Sequence, residues 1–372
     1  MRILVRMLLV ALSLGAVAQD SAWTPARPDY AWSFPRDHYA HPAYKTEWWY
    51  YTGHLADTRD TAQRFGYQFT FFRIGVNPRP ADSGSDWAAQ MLIMGHAAIT
   101  DVRTGRHYFS DVLYRTIPLL GGFGAPDDSL IAWSRGPAGT EQRWTLARRR
   151  DGFAVAMADR RRGFSFDLEA SPTRALVFEG PNGFSRKGPG PTSASQYYSF
   201  TRLQTGGTLR LGDRVFSVRG TSWMDQEIGS NQLAREQVGW DWFALQLDDG
   251  RDLMLYLLRD STGATSWASG TLVPRIGAPR YLAAADYTIR PSGTWTSDST
   301  GARYPARWTV SLPADNLTLE VVPLAADQEN RSAVPRGLFY WEGAVEVRAE
   351  GRAVGKGYVE LTGYGKGIRP AL

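Results

Sequence analysis

The chain has 372 residues, 43% of them hydrophobic and 21% charged, a globular composition at a length that suits two domains and excludes a disordered tail or a collagen-like fibre. Its formal charge of +5 comes from 42 Lys and Arg against 37 acids, scattered in a way that does not mark a nucleic-acid binder. The chain has no Cys, which removes disulfides, thiolate metal sites and a Cys nucleophile, while 14 Trp, 17 Tyr and 16 Phe favour strands.

Residues 1–18 read as a cleaved secretory signal. Arg2 and Arg6 precede an apolar run from Met7 to Val17, which ends in Ala16-Val17-Ala18. Such a run is too short to span a bilayer. Its removal deletes two cations and no acid, leaving a formal charge of +3. The expected location is therefore periplasmic or secreted, with no stable membrane span after cleavage. Residues 19–45 are rich in Pro and aromatics and are expected to form an extended arm on the surface of a domain.

From there the period is two. In Phe65-Gly66-Tyr67-Gln68-Phe69-Thr70-Phe71 four aromatics share one face of a strand. Residues 143–170 predict a meander: strands 143–149, 153–159 and 164–170, with turns at Asp151-Gly152 and at Arg160 to Gly163. A second series of strands is expected at Leu253 to Leu258, Arg307 to Leu312, Leu317 to Val322 and Trp341 to Val347. The Ala-rich stretch Leu282 to Asp286 allows one short helix at most. The fold class is all-β.

The two halves are weakly alike. Glu47-Trp48-Trp49 opens a strand whose partner ends in Arg73, and Asp241-Trp242-Phe243 opens one whose partner ends in Arg259. An acid, a Trp, a turn and a strand-terminal Arg recur in that order, with acid and Arg 26 residues apart in one half and 18 in the other. This predicts two lipocalin-like antiparallel β-barrels in tandem, 46–228 and 229–372, because closure removes exposed edge strands.

Catalytic signatures are scarce. The chain lacks a G-x-S-x-G elbow, an H-E-x-x-H and a phosphate-cradling Gly loop, so no metal and no cofactor are expected. His38 and His41 sit in the arm, where a hydrogen-bonded role is favoured over metal ligation. Two segments stand out. One is Ser185-Arg186-Lys187-Gly188 running into Tyr197-Tyr198, whose cations suit an acidic head group. The other is Trp223-Met224-Asp225-Gln226-Glu227. If it is extended, Trp223, Asp225 and Glu227 share a face, with the two acids roughly 6–7 Å apart along the backbone. Facing an aromatic interior, one acid would hold its proton near neutral pH and serve as a proton donor. The alternative is structural, with each acid paired to an Arg at a domain junction.

These strings, together with Glu47-Trp48-Trp49-Tyr50-Tyr51-Thr52-Gly53-His54, Trp240-Asp241-Trp242-Phe243, Tyr340-Trp341-Glu342-Gly343 and Gly357-Tyr358-Val359-Glu360, resemble the AttH-like family. That group of secreted lipocalin-like proteins, often labelled hydrolases, is related to carotenoid 1,2-hydratase. The resemblance implies tandem lipocalin-like barrels in an exported bacterial protein, sometimes linked to an envelope ABC-type transporter. Hydratases of the family carry a His-rich acidic motif where this chain keeps Asp225 but has Met224 and Gln226.

Three readings follow. The first is a binder of an apolar ligand, such as a lipid, isoprenoid or acyl chain, held in a hollow barrel. Its lining candidates are Trp48, Trp49, Tyr67, Phe69, Tyr197, Tyr198, Trp223, Gln226 and Trp242, with Arg186 and Lys187 at the head group. The second is a hydratase or hydrolase using Asp225 and Glu227 as acid and base. The third is an accessory component of the transporter.

Overall fold

The computed structural model describes residues 23–78, 89–230 and 232–365. The expected signal at 1–18 and the first residues of the arm lie outside them. Among the described residues no helix is long and apolar enough to cross a membrane. Helical geometry is confined there to three short 3-10 turns, Arg36–His38, Pro181–Gly183 and Pro313–Asp315. The rest is two large curled antiparallel sheets, the first a nearly closed barrel and the second a half-barrel.

The first sheet has 13 strands, and its centre is the run Arg64–Gly75, Thr46–Asp57, Arg214–Gly229, Ala194–Leu211. The meander follows as Phe164–Pro172, Gly152–Asp159 and Arg143–Arg149, within two residues of the sequence expectation at every end. The second sheet has ten strands, centred on Asp252–Asp260, Gln237–Leu247, Arg352–Leu361 and Phe339–Ala349. The Ala-rich stretch Leu282 to Asp286, which allowed one short helix at most, is the end of strand Arg280–Ala283 and a turn. Leu282 is buried there against the second core, and pairing with strand Thr265–Val273 outweighs the helix preference of three alanines.

Alternation sorts each central strand into two faces. Along Thr46–Asp57, Trp49, Tyr51 and Leu55 point into the first barrel, where they pack with Tyr67, Phe69, Phe71 and Trp144. The second barrel is filled in the same way by Phe243, Leu245, Leu255, Trp308 and Trp341. The intervening residues, Tyr50, Tyr197, Trp223, Trp242, Tyr256 and Tyr358, form a third apolar cluster between the sheets. The expected hollow barrel is therefore a packed one. Tyr67 and Phe69 have no exposed surface and belong to a core, because large rings from both walls of a narrow barrel meet in the middle.

The repeated acid and Arg are real partners. Glu47 and Arg73 face each other across neighbouring strands, with Oε2 and Nε 3.0 Å apart and neither side chain exposed. Asp241 Oδ1 and Arg259 Nε are 2.9 Å apart in the second barrel. In the first pair the residues are direct cross-strand partners. In the second, Asp241 faces Leu257 and Arg259 faces Gly239, so the pair reaches diagonally across the strands. The shorter sequence spacing of this pair follows from a shorter hairpin, which turns between Leu247 and Asp252 where the first turns between Asp57 and Arg64.

The arm is less superficial than expected. Tyr39 and Tyr44 are buried, Asp37 has no exposed surface, and Trp49 Nε1 donates to the His38 carbonyl at 2.9 Å. His38 Nδ1 lies 2.7 Å from the Tyr198 hydroxyl, and His41 Nδ1 lies 2.7 Å from Glu47 Oε1. An aromatic-rich segment gains more by burying its rings in the barrel end than by lying in water.

Candidate functional site

Between the sheets lies a cavity of about 170 Å³. Its walls are the faces that the two strand sets turn away from their own cores. The first sheet contributes Trp48, Tyr50, Phe72, Tyr197, Asp225 and Glu227, with Lys187 from the loop that follows strand Phe184–Arg186. The second contributes Trp240, Trp242, Tyr256, Leu258, Tyr340, Glu342 and Glu360. Half-buried Trp48, Phe72, Leu233, Trp240, Leu338 and Phe339 give it an apolar rim, and the polar groups lie among buried rings.

Strand Arg214–Gly229 is extended across the critical segment, so Trp223, Asp225 and Glu227 do share one face. Asp225 is 2% exposed; its Oδ1 accepts from Ser199 Oγ at 2.5 Å and from Trp223 Nε1 at 2.7 Å. Burial pushes its pKa up to about 7, against the pull of these donors and the Tyr197 hydroxyl and with a contribution from Glu227. Glu227 Oε1 accepts from Ser195 Oγ at 2.5 Å and pairs with Lys187 Nζ at 2.8 Å. The Lys187 ammonium lies 4.1 Å from the Tyr256 ring centre. Burial would lower the Lys187 pKa, but Glu227 and the neighbouring groups raise it. The cation is therefore fixed.

The sequence candidates thus divide. Trp48, Lys187, Tyr197, Asp225, Glu227 and Trp242 meet at the cavity. Trp223 stands behind them and orients Asp225 through its indole N–H. Trp49, Tyr67, Phe69 and Tyr198 are core residues of the first barrel. Gln226 points to the same side as Tyr198, accepts from its hydroxyl, and donates to Glu47 Oε1 at 2.8 Å. Arg186 is exposed and donates to the carbonyls of Gly188 and Pro189, so it selects no head group in the cavity. Its neighbour Lys187 turns inward because successive residues of an extended segment face opposite ways.

Four acidic or basic contributors escaped the sequence reading. Glu342 is 1% exposed, and burial followed by repulsion from Glu360 raises its pKa well above the usual range. Half-buried Glu360 is raised to about 8, first by desolvation and then, against a Trp240 donor, by Asp225 and Glu227. Glu179 stands behind Asp225, raised to about 8 by burial. His96 is pushed down to about 4 by burial and is neutral, with Nδ1 2.7 Å from the Tyr340 hydroxyl. A signal for two of them was present: Glu342 and Glu360 interrupt apolar strands on the face that alternates away from Trp341, Val359 and Leu361. No three His, Asp or Glu among the described residues are placed to hold a metal ion.

A family model for AttH-like proteins matches residues 25–364. The chain belongs to the AttH-like family. The AttH-like chain is 32% identical to a protein of that kind from Nitrosomonas europaea whose crystal structure is known; the similarity covers 92% of this chain and all of the other, with a TM-score of 0.80. It also shares its fold with kievitone hydratase from Nectria haematococca, at 13% identity over 92% of this chain and 96% of that one, TM-score 0.62. CghA is similar at 13% identity over 93% and 96%, TM-score 0.53. No curated protein matches the sequence.

Proposed function

We propose that this AttH-like protein is an exported enzyme that adds water to, or removes it from, an apolar substrate held between its two barrels, with Asp225 as the acid. The supporting observation is the placement of one nearly unexposed carboxyl group, fixed by Ser199 and Trp223, in a cavity walled by aromatic rings. In hydration the Asp225 proton passes to one alkene carbon, and the cation left on its neighbour faces the rings of Tyr197 and Trp242. Water then forms the C–O bond, and its surplus proton returns to the Asp225 carboxylate. Glu227, anchored by Lys187 and Ser195, is placed to accept a hydrogen bond from that water. Dehydration is the reverse. A fold shared with a protein known as a hydratase agrees with this chemistry. The leader-like residues 1–18 support export.

The test begins with native mass spectrometry and organic extraction of protein purified gently from its host, to recover the apolar compound. That compound is then incubated with the protein in D2O. Wild type is expected to place deuterium on carbon and oxygen from water on the adjacent carbon, and Asp225→Asn to slow this by about 10²-fold or more with affinity retained. The rate should fall as pH rises through about 7, where Asp225 loses its proton. Binding without any deuterium uptake would make the protein a carrier, which the apolar rim also suits.

A further inference from the structure

The cavity walls carry more acid than base. Asp225 and Glu227 come from one sheet and Glu342 and Glu360 from the other, while the lining ammonium, Lys187, is already paired with Glu227 at 2.8 Å. The other basic groups at the lining add no free positive charge. His96 is neutral and Arg73 is bonded to Glu47 at 3.0 Å.

A second, independent feature lies on the Glu342 side. Glu342 Oε2 accepts from Asn330 Nδ2 at 3.0 Å, and Asn330 Oδ1 lies 2.8 Å from His107 Nε2, so the carboxyl group is held in place. The hydroxyls of Tyr50 and Tyr340 are near enough to act on it, yet Glu342 Oε1 and the Tyr50 hydroxyl make no hydrogen bond. His96 Nε2 makes none either. All three atoms belong to residues at most 6% exposed that line the cavity. Buried polar atoms left open in this way are costly unless something occupies them.

The protein already shows how these walls receive a cation. Lys187 Nζ lies 4.1 Å from the Tyr256 ring centre and 5.1 Å from that of Tyr197, with Glu227 closing the site. The Glu342 side offers a carboxyl group beside the hydroxyls of Tyr50 and Tyr340, with no ammonium of its own. We propose that the cavity takes a ligand with an apolar body and a permanent positive charge, an alkyl- or arylammonium, whose head sits against Glu342 and Glu360. This rests on the reading of the seam as the substrate site and assigns that substrate a class.

A sign follows for pH. The titratable and charged groups facing the ammonium are Asp225, Glu227, Lys187, His96, Tyr50, Tyr197 and the paired Glu47 and Arg73 from the first sheet's side and Glu342, Glu360, Tyr340 and Tyr256 from the second, with Glu179 behind Asp225. Burial raises Asp225 to about 7 and Glu360 to about 8, and lifts Glu342 well above the usual carboxylate range, so the empty cavity holds protons near neutrality. A cation stabilises the ionised acids, so its binding releases protons and tightens as pH rises.

The experiment is calorimetric titration of the full chain with benzyltrimethylammonium and with its neutral isostere neopentylbenzene, at pH 6 and pH 8.5, in buffers of different ionisation enthalpy. The cation is expected to bind at least tenfold more tightly at pH 8.5 than at pH 6, with proton release, and neopentylbenzene equally at both. Glu342→Gln with Glu360→Gln should lose the cation preference and keep neopentylbenzene. If the neutral isostere binds as tightly as the cation at pH 8.5, or the cation's affinity ignores pH, the proposal is wrong. Should the double variant bind neither ligand, the wild-type comparison decides. Cation preference without deuterium uptake would sink the hydration reading and keep this one; deuterium uptake without cation preference does the reverse.

Discussion

Lys187→Met tests whether the charged pair beneath the cavity is as dry as the structure places it. Lys187 Nζ and Glu227 Oε1 are 2.8 Å apart, with side chains 8% and 7% exposed. At that separation the attraction is about 6 kcal/mol for an effective dielectric near 20, much of it offset by the desolvation of the two ions. Methionine keeps the length of the side chain against Tyr256 and removes the charge. The orphaned Glu227 carboxylate then retains Ser195 Oγ as its donor, a loss of about 3–5 kcal/mol while it stays ionised. The deficit against wild type is read at pH 7 as the shift in urea midpoint at fixed m. Lys187→Met with Glu227→Gln should recover most of it. A single variant as stable as wild type, or a double variant no better than the single one, would refute the reasoning.

In the arm, burial would lower the His41 pKa, but Glu47 and Asp37 outweigh it and raise the pKa to about 9, so its contribution, on the order of 3 kcal/mol, is complete below the unfolded value of 6.5 and lost as pH rises through about 9. Urea denaturation of wild type and His41→Gln should therefore converge between pH 6 and pH 10, and a gap that stays constant contradicts the assignment. Phe69→Ala should cost about 3–5 kcal/mol and leave ligand uptake at the seam intact, whereas Trp242→Ala should weaken uptake. A ligand displaced by the first change and not the second would return the binding site to the barrel interior. Arg73→Met should cost about 2–3 kcal/mol, because Glu47 loses one charged partner but keeps His41 and Gln226; losses strictly additive with those of Glu47→Gln in denaturation would deny the pair its coupling.

Much of the fold was legible because a strand exposes its period directly. The meander at 143–170, the face shared by Trp223, Asp225 and Glu227, and the recurring acid and Arg all came from two-residue alternation and order along the chain. The ion pairs Glu47–Arg73 and Asp241–Arg259 show that the internal likeness was structural. The site was half legible. Asp225 and Glu227 stood out as acids in an apolar strand, Lys187 and Tyr197 as a basic loop running into paired tyrosines, and Trp48 and Trp242 as the openers of the two related strands. Glu342 and Glu360 lie more than a hundred residues away, and nothing local says that their strands cross the other barrel. Arg186 and Lys187 look equivalent in the sequence, and only the turn of the loop separates an exposed guanidinium from a buried ammonium.

The sequence by itself determined that each central strand has two unlike faces and that both are largely apolar, as in Trp48-Trp49-Tyr50-Tyr51, where neighbours must point in opposite directions. It left open which face meets its own barrel and which meets the other one. That choice is tertiary. Aromatic rings satisfy either environment equally well, and the hydrophobic effect has no direction of its own. With two sheets back to back, the first barrel curls over Trp49, Tyr67 and Phe69, and the space between the sheets is left to Trp48, Tyr197 and Asp225.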